Sequence, residues 1–294
     1  MERKEFLQSI LALTAMGTLS SFKNFTDALP SQGKKMPVLF TSHGNPMDIP
    51  VSRSERAFWQ KLYDLGITLQ KSHEVKAALV VSAHWCTKGT FVNISPEQKQ
   101  IYDYYGFPEE YYKVYYKAKG SPDIAREVKK IVPSVSETTD WGLDHGAWLM
   151  LKHMFPKADV PVFEMSIDYY QSAQYHFDLA KQLKPLRDKG VLVIGSGAVV
   201  HNIKEAGKRF FNGNMTPYGW DIEFDKWIKQ QLDKRDVQSI VNYEKQKLGL
   251  MAAPTPDHYV PLIYSLALMD ENENIEHTFE ELLPAFSNRG FRIG

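Results

Sequence analysis

The sequence predicts one α/β domain: a largely parallel or mixed central sheet flanked by helices, with a metal site where the strands end at their carboxyl termini. Three observations lead there. Short, nearly continuous apolar runs recur, as expected for strands buried on both faces. Helical patterns separate these runs, which favours parallel pairing through crossovers. Histidines stand just past several of the runs, in segments of small or turn-forming residues. In an open α/β sheet, residues beyond the strand carboxyl ends converge on one crevice.

In order along the chain, residues 1–35 differ from the rest. A charged start through Arg3 and Lys4 precedes an apolar stretch at 10–19. That stretch is too short to span a bilayer and has the layout of a secretory leader. With Lys4 in place of a second arginine it is similar to a twin-arginine export signal, so a periplasmic location and a cytoplasmic first helix both stay open. Residues 31–35 read as a linker, and the folded domain is expected over 36–294. Strands are expected at residues 37–41, 76–82, 160–166 and 191–194. A helix at 55–65 would place Phe58, Leu62 and Leu65 on one face. Another at 124–131 would do the same with Ile124, Val128 and Ile131. The pattern at 172–187 carries Tyr175, Leu179, Leu183 and Leu186 and ends in a turn at Gly190. The pattern at 221–233 carries Phe224, Trp227, Ile228 and Leu232. A last helix is expected to open at Pro261, since proline suits a first helical turn. Between residues 90 and 119, tyrosines crowd into little chain, for core packing or as a loop over an aromatic substrate.

Composition narrows the partners. Lys+Arg and Asp+Glu both count 35, so the formal net charge is zero, and nothing points to nucleic acid or an anionic membrane. The one cysteine, Cys86, excludes an intramolecular disulfide and a cysteine-based zinc site. A metal here must be held by nitrogen and oxygen.

Nine histidines are present. His73, His153, His176 and His277 sit in a polar linker, in helical patterns and in an acidic terminal segment, and read as ordinary surface or core residues. His43, His84, His201 and His258 sit beside strand ends or in turns. His145 lies between Asp144 and Gly146. Converging neutral imidazoles are what a divalent transition metal requires. No phosphate-binding glycine loop is present. Gly195-Ser196-Gly197 lacks the Gly-x-Ser-x-Gly pattern of a nucleophile elbow.

Five segments carry a resemblance. They are Ser-His-Gly-Asn-Pro at 42–46, Val-Ser-Ala-His-Trp at 81–85 and Trp-Gly-Leu-Asp-His-Gly-Ala-Trp at 141–148. Gly-Ser-Gly-Ala-Val-Val-His-Asn at 195–202 and Pro-Thr-Pro-Asp-His-Tyr at 254–259 complete the set. In this order, and with Phe-Pro-Glu-Glu-Tyr at 107–111, the chain from about Met36 onward resembles the DODA-type extradiol ring-cleavage dioxygenases. These belong to the class III group that includes the catalytic subunit of protocatechuate 4,5-dioxygenase. The resemblance implies a non-haem Fe(II) centre that binds a catechol, such as DOPA, together with O₂, and opens the ring beside the diol. It implies His43, His84 and His258 as metal ligands. His201 would be a further ligand or the acid/base residue, and His145 a catalytic residue facing substrate or oxygen. The wider group pairs two histidines with a glutamate, whereas this chain has His258 with Asp257 beside it. Three or four imidazoles also accept Zn(II), and more tightly than Fe(II). A zinc-dependent hydrolase using the same histidines is the alternative reading. The oligomeric state is not legible in the sequence.

Overall fold

A computed structural model describes residues 34–294; the expectations for residues 1–33 lie outside the described residues. The core of the fold is an eight-stranded mixed sheet. Its strands are β1 (Val38–Thr41), β2 (Ala77–Thr87), β3 (Phe91–Asn93), β4 (Ser136–Thr138), β5 (Val162–Asp168), β6 (Val191–Ser196), β7 (Ile275–Phe279) and, after the small β8–β9 pair (Leu282–Leu283 and Phe286–Ser287), β10 (Gly290–Ile293). Their order is β4-β3-β5-β2-β6-β1-β10-β7. The central strands β5, β2, β6 and β1 are mutually parallel. Antiparallel partners β10 and β7 extend the β1 side.

Alternation along the central strands sends side chains into two separate cores. Val38 and Phe40 join one core and Leu39 the other; Val191 and Val193 join the first, Leu192 and Ile194 the second. This is the period-two pattern of a strand covered on both faces. Helices α1 (Ala57–Ser72), α2 (Pro122–Ile131), α3 (His145–Met154), α4 (Ala173–Lys181), α5 (Ile203–Phe210), α6 (Gly219–Lys234) and α7 (Val260–Ala267) supply most of the flanking layers. Helices α1 and α3 cover one face through Phe58, Trp59, Leu62, Trp148 and Met154. Helices α2, α4, α6 and α7 cover the other through Val128, Leu179, Phe224, Ile228 and Ile263. Arg187 is buried and ties the fold's edge together. It donates to Met36 O at 2.7 Å and Leu268 O at 2.8 Å and pairs with Glu273. No helix among the described residues is long and apolar enough to cross a membrane.

Two expectations differ in detail. The segment expected as one helix at 172–187 is α4 followed by a separate turn of helix at Pro185–Asp188, because a proline cannot continue a helix ladder. Strand β2 does not end at Ser82 but runs to Thr87, with a register shift against β5 between Val81 and Cys86. His84 therefore sits within the strand, at the irregularity, instead of just beyond it. Such bulges re-aim side chains and recur beside functional sites.

Candidate metal centre

The register of the central strands sets up the site. Thr41 pairs with Ser196, and Ser82 pairs with Ser196 from the other side. His43 and His84 each lie two residues further along, so they emerge side by side. The turn after β1 needs Gly44, at φ +72°; a Cβ there would meet Asp48 Oδ2 at 2.7 Å and the Trp59 ring at 2.9 Å. His145 opens α3, capped by Asp144, whose side chain accepts from the Ala147 amide. The next residue, Gly146, faces β2 so closely that a Cβ would lie 2.6 Å from Ser82 Oγ and 2.8 Å from the His84 ring. His201 and His258 come from the loops after β6 and before α7. Main-chain bonds lash these loops together: Ala198 N to His258 O at 2.8 Å, Gly197 N to Thr41 O at 3.0 Å and His201 N to Ala252 O at 2.8 Å.

All five histidines meet. Ring centres of His43 and His84 are 4.9 Å apart, His43 and His258 5.4 Å, and His84 and His258 4.9 Å. His145 is 4.0 Å from His84 and 5.4 Å from His43. His201 stacks on His258 at 3.4 Å with the planes 7° apart. Ligand nitrogens of His43, His84 and His145 lie within 4.8 Å of one another, and those of His201 and His258 do so with an Asp257 oxygen. His145, expected to face the substrate, thus stands as close to His43 and His84 as a ligand would.

Hydrogen bonds fix which nitrogen of three of the rings faces inward. Ser196 Oγ gives its proton to Gly146 O at 2.5 Å, so it accepts from His43 Nδ1 at 2.9 Å. His258 Nδ1 donates to Asp257 Oδ1 at 2.6 Å. Asp103 accepts from the His145 amide at 2.8 Å and from His145 Nδ1 at 2.8 Å, and its Oδ2 lies 3.2 Å from His84 Nδ1. His43, His145 and His258 thus hold Nδ1–H outward and leave Nε2 its lone pair, the arrangement that outer hydrogen bonds impose on metal-binding imidazoles.

Electrostatics agree. Burial first, and then the neighbouring imidazoles, push His43 and His258 well below the ordinary histidine value. Burial is the largest cause for His84, lowered to about 3, and for His201, lowered to about 4. The rings are therefore neutral at pH 7. Yet His43 Nε2 and His84 Nε2 face each other at 3.1 Å. A hydrogen bond there needs one neutral ring to carry its proton on Nε2; with both protons on Nδ1, two lone pairs face the same point, as they would around a bound cation. The donor chemistry fits a divalent cation, and the buried His43/His84/His145 triad is consistent with a metal site. Burial also tends to raise the Asp103 carboxyl, but the hydrogen bonds it accepts from His145 act against this, and it is held below the usual carboxylate value.

The imidazoles form the floor of a cavity of about 430 Å³ whose walls include Tyr104, Ile203, Phe210, Phe211, Leu283 and Phe286. The tyrosine-rich loop packs on the core and also reaches the cavity. Tyr102 and Tyr104 pack on Trp148, and the same loop presents Tyr104 edge-on to His145 at 5.7 Å. The four histidines read as ordinary lie elsewhere. His153 stacks on Trp59, His176 meets Tyr264 Oη and Asp168 O, His277 meets Asp233 and His73 meets Ser72. Sequence reasoning missed Asp103, Ser196 and the buried pair Asp144–Glu164 behind α3. Glu164 Oε1 accepts the Asp144 amide at 3.0 Å. Burial, then the charge of Asp103, pushes the Asp144 carboxyl up to about 6, and burial, then Asp144, pushes Glu164 well above the usual range. No local spacing marks these residues, because their partners are distant in sequence.

Comparisons with known proteins bear on this geometry. Residues 37–291 match the family model described as the catalytic LigB subunit of aromatic ring-opening dioxygenase. The chain is 37% identical over 247 residues to the 4,5-DOPA dioxygenase extradiol of Escherichia coli K12, covering 82% of this chain and 88% of that protein. It is 35% identical over 244 residues to the 4,5-DOPA dioxygenase extradiol of Beta vulgaris, covering 81% and 88%. A crystal structure of an uncharacterized Escherichia coli K12 protein superposes with a TM-score of 0.75 at 33% identity, covering 88% of this chain and all of that one. With the fold, the buried histidine cluster and these matches together, the chain belongs to the LigB family of aromatic ring-opening dioxygenases and is an oxygenase of the extradiol type.

Proposed function

We propose that this protein opens the ring of a catechol beside its diol, using O₂ and one divalent metal held by His43, His84 and His258. The observation that carries this reading is the convergence of five imidazoles, three with Nδ1 hydrogen-bonded outward, on the floor of one largely apolar cavity. Family membership supplies an aromatic substrate and O₂. The relatives named for DOPA make a DOPA-like catechol the natural starting point.

The metal, Fe(II) in this reading, would supply the site at which diol and O₂ meet and exchange electrons, which Zn(II) cannot do because it has no redox chemistry. The chain's own residues do the rest. His201 is neutral at pH 7 and borders the cavity, so it can accept a phenolic proton and later return it. His145 is clamped through both its amide and Nδ1 by Asp103. With Nδ1 held by Asp103, its Nε2 is the nitrogen left to hydrogen-bond a bound diol in the cavity. Tyr104, Phe210 and Phe286 exclude water and flank an aromatic ring.

The test is reconstitution with Fe(II) without oxygen, addition of catechol, and admission of air. A yellow semialdehyde forming with one O₂ consumed per catechol supports the reading. Iron-loaded protein that binds no catechol and consumes no O₂ sinks it. Hydrolysis of ester or amide substrates by the zinc-loaded protein in its place would favour the hydrolase.

A further inference from the structure

The cavity over the histidines has a mouth of unusual composition. Met47, Ile203 and Phe211 stand around it with 55%, 70% and 94% of their surface exposed. Phe210, Leu283 and Phe286 continue the same wall inward. Exposed large apolar side chains gathered at one opening mark a binding surface more often than chance. Among the described residues the lining contains no lysine or arginine, and its one carboxylate, Asp103, is committed to His145 and lies beside His84. A second, more open depression reaches His84, His201 and His258 from the other side, past Lys204, Thr255, Asp257 and Tyr169. Asp257 there is already bonded to His258 Nδ1.

A catechol held at the histidine floor must project whatever it carries at the far side of its ring through one of these openings. The enclosed cavity that all five histidines line leads outward along the apolar wall. A zwitterionic tail there would lose its hydration and meet no opposite charge, a cost without compensation. An alkyl or aryl tail would gain by covering Ile203 and Phe211.

We propose that the preferred substrate is a catechol bearing an uncharged, apolar substituent, seated against Ile203, Phe210, Phe211 and Phe286, and that amino-acid tails such as that of DOPA are disfavoured. This deepens the reading above and rests on it.

The experiment compares methyl-, propyl- and pentylcatechol, substituted para to one hydroxyl, with DOPA, dopamine and dihydroxyphenylpropionate. It reads kcat/KM of the Fe(II)-loaded protein and, separately, dissociation constants measured without oxygen. Affinity and kcat/KM are expected to rise by about fourfold per buried methylene, with the charged-tail catechols below methylcatechol. Phe211→Lys should lower the pentylcatechol value and raise that of dihydroxyphenylpropionate by up to about fivefold, the worth of an exposed charge pair. Cleavage of every catechol with no dependence on chain length overturns the inference and leaves the ring-opening reading standing. So does a preference for DOPA that Lys204→Ala abolishes, because the tail then leaves through the polar opening. Absence of binding and cleavage for every catechol overturns both.

Discussion

Replacing Asp103 by asparagine isolates the tautomer argument from everything else in the site. The carboxylate takes three contacts: the His145 amide at 2.8 Å, His145 Nδ1 at 2.8 Å and His84 Nδ1 at 3.2 Å. Asparagine is nearly isosteric, and its carbonyl oxygen can still accept from the His145 amide. That choice turns its NH₂ toward both Nδ1 atoms. A donor there selects the tautomer with the proton on Nε2, which removes the lone pair that would face a metal. A hydrogen bond to a charged group is worth about 1.5–3 kcal/mol, and residues that orient metal-binding imidazoles typically contribute about 10–100-fold in affinity or activity. Asp103→Asn should therefore bind Fe(II) or Zn(II) about 10–100-fold more weakly. It should melt within a few degrees of the parent when both are metal-free, since the packing is unchanged. Competition titration against a chelator gives the affinity, and a thermal melt in the same buffer gives the fold. Parent-like metal affinity in a folded Asp103→Asn protein would refute the claim that this carboxylate sets the tautomer of His84 and His145.

Other consequences can be checked separately. His258→Ala should abolish stoichiometric metal binding, and His145→Ala should retain bound metal while losing activity. The reverse result, read by elemental analysis, would make the His43/His84/His145 grouping the ligand set. His201→Gln should lower turnover by about 10²–10⁴-fold; retained metal in that variant assigns proton transfer, and lost metal assigns ligation. Stability of the metal-free protein should fall as the pH is lowered below about 6.5, the unperturbed histidine value. Burial, with nearby cations, lowers His153 to about 3, and burial lowers His176 to about 4. The unfolded chain thus binds more protons than the fold between those values and pH 6.5, and each ring adds a slope of up to about 1.4 kcal/mol per pH unit. His153→Phe should flatten the curve in denaturant melts at pH 7 and 5, and an unchanged slope would count against this assignment.

What the sequence revealed follows burial. Strands β1, β2, β5 and β6 were legible because both their faces are covered, which leaves a continuous apolar run. The outer strands β3, β4 and β7 to β10 are only two to five residues long, too short for a run or an alternation to mark them. Helix α3, read only as a helical pattern around His153, had no legible bounds for a different reason. It is buried nearly all round, with only Lys152 partly exposed, and a helix without a polar face shows no 3.6-residue period. The histidines were legible one at a time from strand ends and small neighbours. Their grouping was not, because strand order and register bring them together. Asp103 sits 42 positions from His145 in a loop of tyrosines, and nothing local distinguishes it from a solvated acid.

The most direct test of the account is the origin of the product's oxygen atoms. Protein reconstituted with Fe(II) is given catechol under isotopically labelled O₂, and the product is caught by mass spectrometry early in turnover. The account predicts a ring-opened product of catechol mass plus two oxygen atoms, with labelled oxygen in its new carboxylate, and none from protein lacking His43 and His84. A quinone that has lost two hydrogens and gained no oxygen, or a product whose carboxylate oxygen comes only from water, would contradict it.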